Sequence, residues 1–151
     1  MQNSVLGKLE ENNGSVIGSL SIGGLDIPIR IDPDDASLDQ TISLAVTIAT
    51  LLPDYDRTSK DIIVRDLLDT YNSGWNEYYE TQEDGSYKEV VNPEINADEF
   101  RASISMSSIS ITGNSCVDIY YDAGKLFWGH GICVTSLNGA NFSSSKARLV
   151  G

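Results

Sequence analysis

In the stretch Ser15-Val16-Ile17-Gly18-Ser19-Leu20-Ser21-Ile22-Gly23-Gly24-Leu25-Asp26-Ile27-Pro28-Ile29-Arg30-Ile31, two strand-like runs flank a Gly-Gly pair. Leu25, Ile27, Ile29 and Ile31 alternate onto one face, and Gly23-Gly24 has the turn chemistry of a β-hairpin. Pro28 has no amide donor, so the strand is expected at a sheet edge there or with a bulge. After Asp32-Pro33-Asp34-Asp35 the period changes: Leu38, Ile42, Ala45, Val46, Ala49 and Leu52 fall at helical spacing. Strands followed by helices, without regular alternation, indicate an α+β fold.

Working outward, Val5 to Glu10 reads as a further strand, ended by the turn Asn12-Asn13-Gly14. The first helix is expected over residues 36–52 and stops at Pro53. A second, near 55–73, carries Ile63, Val64, Leu67, Leu68 and Tyr71 on one face. The short connection makes the two antiparallel neighbours. Asn96-Ala97-Asp98-Glu99 fits a capping box that opens a short helix through Phe100. Four strands follow. Ile104 to Thr112 changes apolar phase at Ser107-Ser108, which signals a bulge. Cys116 to Tyr121, Leu126 to Val134 and a strand ending at Val150 complete the set. The expected architecture is a single α+β domain over residues 1–151. It has a largely antiparallel sheet of six or seven strands, with a pair of antiparallel helices on one face.

The chain has 151 residues, enough to bury a core. Its 22 acidic and 10 basic side chains give a net charge of −12 and a pI near 4.2. Residues 1–99 hold 20 of the acidic side chains and only 6 basic ones. Such a surface repels phosphate backbones and argues against nucleic-acid binding, while it complements a basic protein. No apolar stretch has the length of a membrane span, and the N-terminus lacks a secretory signal pattern. A cytoplasmic protein is therefore expected. Aligning the hairpin that Cys116 and Cys133 share puts Cys116 opposite residue 130 or 131, so free thiols are expected.

Catalytic signatures are sparse. There is no Gly-x-Ser-x-Gly elbow, phosphate loop or dinucleotide fingerprint. Asp32, Asp34 and Asp35 lack the remaining features of a calcium loop and read as helix-entry charges. The single histidine, His130, has no cysteine or carboxylate at metal-ligand spacing, so neither a metal nor any other cofactor is expected. In an extended strand His130 would share a face with Leu126, Trp128, Ile132 and Val134. It could then serve as a ligand-binding or general-base group, with Asp118 or Asp122 as its carboxylate, or as a histidine packed beside Trp128. Trp75, at the end of the second helix, reads either as core or rim packing or as an anchor at a binding surface. Residues 76–99 read as an exposed loop with a short hairpin centred on Asp84-Gly85. They carry eight acidic residues against one base, Lys88, with tyrosines between them. Glu77, Tyr78, Tyr79, Glu80, Glu83 and Asp84 form the candidate partner surface.

Four stretches carry a resemblance: Leu6-Gly7-Lys8-Leu9, Leu67-Leu68-x-x-Tyr71-Asn72-x-x-Trp75, Leu126-Phe127-Trp128-Gly129-His130 and Ala147-x-Leu149-Val150-Gly151. The set resembles a bacterial family of domains of unknown function whose members end in a Phe-x-Gly-His strand and a short final strand. Similar small acidic domains occur among immunity proteins of polymorphic or contact-dependent toxin systems. The resemblance skips residues 76–99 and brings no catalytic residues. It implies a non-enzymatic protein that neutralises a cognate toxin, a basic nuclease domain, by occluding its active site. The alternatives are a general protein- or small-ligand-binding module, or an enzyme using His130.

Overall fold

The computed structural model describes residues 1–151. The chain opens with a miniature hairpin, β1 (Gln2–Asn3) and β2 (Gly7–Lys8), followed by β3 (Glu10–Asn12), β4 (Ser15–Ile22) and β5 (Leu25–Asp32). Helices α1 (Leu38–Thr50) and α2 (Leu52–Thr70) come next, then a hairpin of β6 (Glu77–Thr81) and β7 (Tyr87–Val91). After α3 (Ala97–Ala102), the chain ends in β8 (Ser105–Thr112), β9 (Cys116–Asp122), β10 (Gly131–Ser136) and β11 (Lys146–Val150). Seven strands form one sheet in the order β11-β10-β9-β8-β5-β4-β3.

Every pairing in that sheet is antiparallel except β5 with β8. Those two run parallel because residues 33–104, with all three helices, form the long connection that parallel neighbours require. Strand β5 is thus an inner strand of the finished sheet, but at Pro28 its β8 side is still open, as expected of a proline in a strand. Pairing of β5 with β8 begins only at Ile29, so Pro28 lies where no ladder donor is needed on that side.

Alternation sends Ile27, Ile29, Ile31, Ile109, Ile111, Val117, Ile119, Ile132 and Val134 into the core, each 2% exposed or less. Helix α1 lies over β5 and β8, and α2 over β10 and β11, with only Leu51 between the helices. Pro53 sits in the first turn of α2, where a missing amide costs nothing.

Three local expectations are corrected. Val5 to Glu10 is not one strand: Asn3 Oδ1 accepts from the Val5 and Leu6 amides, and Gly7 takes φ 72°, which folds the segment into a turn. Leu6 and Leu9 are thereby buried. Asp32-Pro33-Asp34-Asp35 forms a turn, not the helix entry. Helix α1 is capped by Ser37, whose hydroxyl accepts from the Gln40 amide while Gln40 reaches back to the Ser37 amide. The fully buried residues of α1 are Thr41, Ala45 and Ile48. Thr41 can be buried because its hydroxyl donates to the Ser37 carbonyl. The bulge between Met106 and Ser108 and the Asn96–Glu99 capping box stand where the sequence puts them. No helix is long and apolar enough to cross a membrane.

Candidate functional site

The site is built where the end of α2 meets the turn before β10. Residues Tyr71–Trp75 widen the last helical turn, and the Asn76 amide donates to the Tyr71 carbonyl at 3.1 Å. This turn carries Trp75 against the segment 123–130. Expected as the start of a strand, residues 126–130 are instead a succession of turns. The amides of Leu126, Trp128 and His130 each donate to the carbonyl three residues earlier. Trp128 at φ 55° and Gly129 at φ 91° reverse the chain, so β10 begins only at Gly131. The Phe-x-Gly-His segment is thus a turn.

That geometry sorts the side chains. Phe127 points inward and is fully buried, 5.9 Å from the Tyr71 ring and 6.1 Å from Phe100. Trp75 lies 5.5 Å from Phe127, 4.5 Å from Trp128 and 5.8 Å from His130, centroid to centroid. Edge-to-face and tilted pairs of this kind are favourable beyond their buried area. Trp128 turns outward with 58% of its surface exposed, and its indole N–H donates to the Trp75 carbonyl at 3.2 Å. His130 is half-buried and meets Trp75 edge-on, so its neighbour is Trp75 and not the expected strand face. The carboxylates considered for an enzyme are engaged elsewhere. Asp122 accepts from the Gly124 amide and Asp118 from the Thr135 hydroxyl.

Two asparagines fasten the segment after Trp75. The Asn72 amide group donates to the Ile95 carbonyl and accepts from the Ile95 amide, at 2.9 and 3.0 Å. Asn76, buried, donates from its side chain to the Asn92 carbonyl, while its own carbonyl accepts from the Asn92 amide. Between these clamps β6 and β7 form a ribbon detached from the main sheet, with Glu77 opposite Val91, Tyr79 opposite Glu89 and Thr81 opposite Tyr87. Gly85, at φ 83°, makes the tip turn, and Asp84 accepts from the amide and hydroxyl of Ser86. The Ser86 hydroxyl, then its amide, holds the Asp84 carboxyl below its ordinary value.

The structure therefore divides the candidate partner residues. Glu77, Tyr78 and Tyr79 gather with Glu89 and Trp128 around one groove. Glu80 does not line this groove; it lies on the ribbon face away from Tyr79 and stands opposite Lys88. Glu83 and Asp84 occupy the tip, and Trp75 supports the groove from behind through Trp128. Tyr79, Tyr87, Val91 and Trp128 are each more than half exposed. Sequence reasoning missed Glu89, Tyr87 and Val91 as members of this surface, and Asn72 and Asn76 as its fasteners. Reading the hairpin register outward from Asp84-Gly85 would have placed the first three.

A second polar cluster lies on the sheet face away from the helices. Asp118 accepts from Thr135 and lies 3.5 Å from Cys133 Sγ and 3.8 Å from Cys116 Sγ. Burial, then the Asp118 charge, pushes the Cys116 thiol up, and burial does the same for Cys133. Both cysteines are free. Their register differs from expectation: Cys116 lies one residue beyond the Val117–Ser136 pair, because the turn takes up residues 123–130. No group of three or more His, Cys, Asp or Glu is placed to hold a metal ion.

An α+β domain with an aromatic-supported acidic ribbon is the class defined by this geometry. The chain belongs to the bacterial family described as "Uncharacterized protein conserved in bacteria (DUF2262)", which matches residues 3–146. No curated protein and no solved structure matches it.

Proposed function

We propose that this protein acts by binding, as an immunity-type inhibitor whose β6–β7 ribbon docks on a basic toxin domain and blocks its active cleft. The observation that carries the reading is the ribbon itself. Two strands paired only with each other are marginally stable in water. Yet this pair displays Tyr79 at 71% and Tyr87 at 73% exposure, beside Trp128. Tyrosine and tryptophan gathered on an exposed surface are the usual anchors of protein interfaces. The acidic residues between them supply the field that steers a cationic partner, and the ribbon can enter a cleft between lobes. The groove behind it then meets whatever surrounds that cleft.

The reading expects a basic toxin gene immediately upstream, and the test is co-expression with the toxin domain it encodes. This protein should restore growth and co-purify with the toxin, and replacing residues 77–91 by a short Gly-Ser turn should abolish both. Growth rescue by the ribbon-less protein would overturn the reading.

A further inference from the structure

The groove between the ribbon and the Trp128 turn has the chemistry of a cation site. Glu77, Tyr78, Tyr79, Glu89 and Trp128 line a cavity of about 430 Å³. Tyr79 stands opposite Glu89, and Glu77 lies two residues away on the same face, so one phenol ring is flanked by two carboxylates. Neither Glu77 nor Glu89 takes part in any ion pair of the structure. The one base on the ribbon, Lys88, stands opposite Glu80 and so belongs to the other face. Trp128 is tethered through its indole N–H, which holds an exposed ring at the groove before any ligand arrives.

We propose that this groove receives the guanidinium of an arginine presented by the basic partner. The inference rests on the binding reading above and names the group recognised at that site. Aromatic faces attract cations, and an arginine plane stacks on a ring while its edge donates to carboxylates, a combination that the compact, strongly hydrated ammonium of lysine fits less well. An anion would meet two unneutralised carboxylates. An apolar side chain would strip water from them without return. The net charge of −12 further concentrates cations near the surface.

The test uses the full chain labelled with ¹⁵N, titrated with N-acetyl-arginine methylamide, its lysine analogue and its neutral citrulline analogue. Arginine should saturably shift the Trp128 indole signal and the amides of Glu77, Tyr79 and Glu89. Lysine should bind at least about fivefold more weakly, and citrulline should leave these signals in place. The Glu77→Gln, Glu89→Gln double variant should lose the arginine shifts, as should Trp128→Gly, since glycine suits the left-handed backbone at φ 55°. Equal shifts with citrulline, arginine shifts located elsewhere, or unchanged affinity in the double variant would overturn the assignment. Were the toxin still to require the ribbon in any of these events, the arginine slot would fall and the binding reading would stand. A toxin indifferent to the ribbon would remove both.

Discussion

Gly18 stands in the middle of β4, where glycine is ordinarily unfavourable. A Cβ built there would lie 2.7 Å from Leu9 Cδ2, with Ile29 Cγ2 at 3.5 Å and the Leu6 carbonyl oxygen at 3.7 Å. Carbon atoms prefer separations near 3.5–4.0 Å, so Leu9 must retreat by about 1 Å. Leu9 is only 2% exposed and has little room to do so. Overpacking of this sort costs about 1–3 kcal/mol, and relief from the glycine penalty returns about 0.5–1 kcal/mol. Gly18→Ala should therefore destabilise by about 1 kcal/mol net. Leu9→Ala alone should cost about 2–5 kcal/mol as a core truncation. In the double variant the shortened residue 9 removes the clash, so the two effects should fall short of their sum by about 1 kcal/mol or more. Urea unfolding with an unchanged m-value is the assay. Strict additivity, or a Gly18→Ala protein more stable than the parent, would refute the packing of the N-terminal hairpin over β4.

The Arg65 guanidinium, and also the Ala147 amide, holds the Asp66 carboxyl below its ordinary value of 3.8. Its stabilising effect is thus fully present above that pH and is lost as acid carries the solution down through the depressed folded value. Asp66→Asn should lower stability by about 1–2 kcal/mol at neutral pH, with the gap to the parent closing in acid, as read from urea midpoints across pH. The raised thiols of Cys116 and Cys133 should alkylate slowly in the native protein at pH 8, and two adducts should appear once unreduced protein is denatured; mass spectrometry showing none would mean the cysteines are bonded. His130→Gln removes only one half-exposed edge contact with Trp75, so thermal unfolding should register a loss below about 1 kcal/mol. A larger loss would assign the ring a structural role that its surroundings do not explain.

Local chemistry made much of the fold legible. The Gly23-Gly24 hairpin, the Asn96–Glu99 box and the Met106–Ser108 bulge each rest on neighbours in sequence, and each is found in place. What was missed depends on contacts between distant segments. The parallel pairing of β5 with β8 is set by where the chain re-enters the sheet, which no local signal encodes. Thr41 reads as polar until its bond to the Ser37 carbonyl is seen, and this shifted the buried face of α1. Trp128 in a left-handed conformation cannot be anticipated from its neighbours, so Leu126 to His130 read as strand. At the site, the composition of residues 76–99 marked the acidic, tyrosine-bearing ribbon. The fasteners Asn72 and Asn76 reach 23 and 16 positions along the chain, and Trp75 meets a turn more than fifty positions away, so none of them had a local signature.

The most direct test of partner binding through the ribbon is the kinetics of the complex with the co-purified toxin domain, at low and high salt. Neutralising Glu77, Glu80, Glu83 and Asp84 to Gln or Asn should slow association and flatten its salt dependence, because exposed charges act on encounter. Tyr79→Ala should leave the stability of the free protein within about 0.5 kcal/mol, since the ring is already 71% exposed. The same change should speed dissociation about 30-fold, as loss of an anchor worth about 2 kcal/mol requires. Association and dissociation rates unchanged in both variants would contradict the account and leave the ribbon outside the interface.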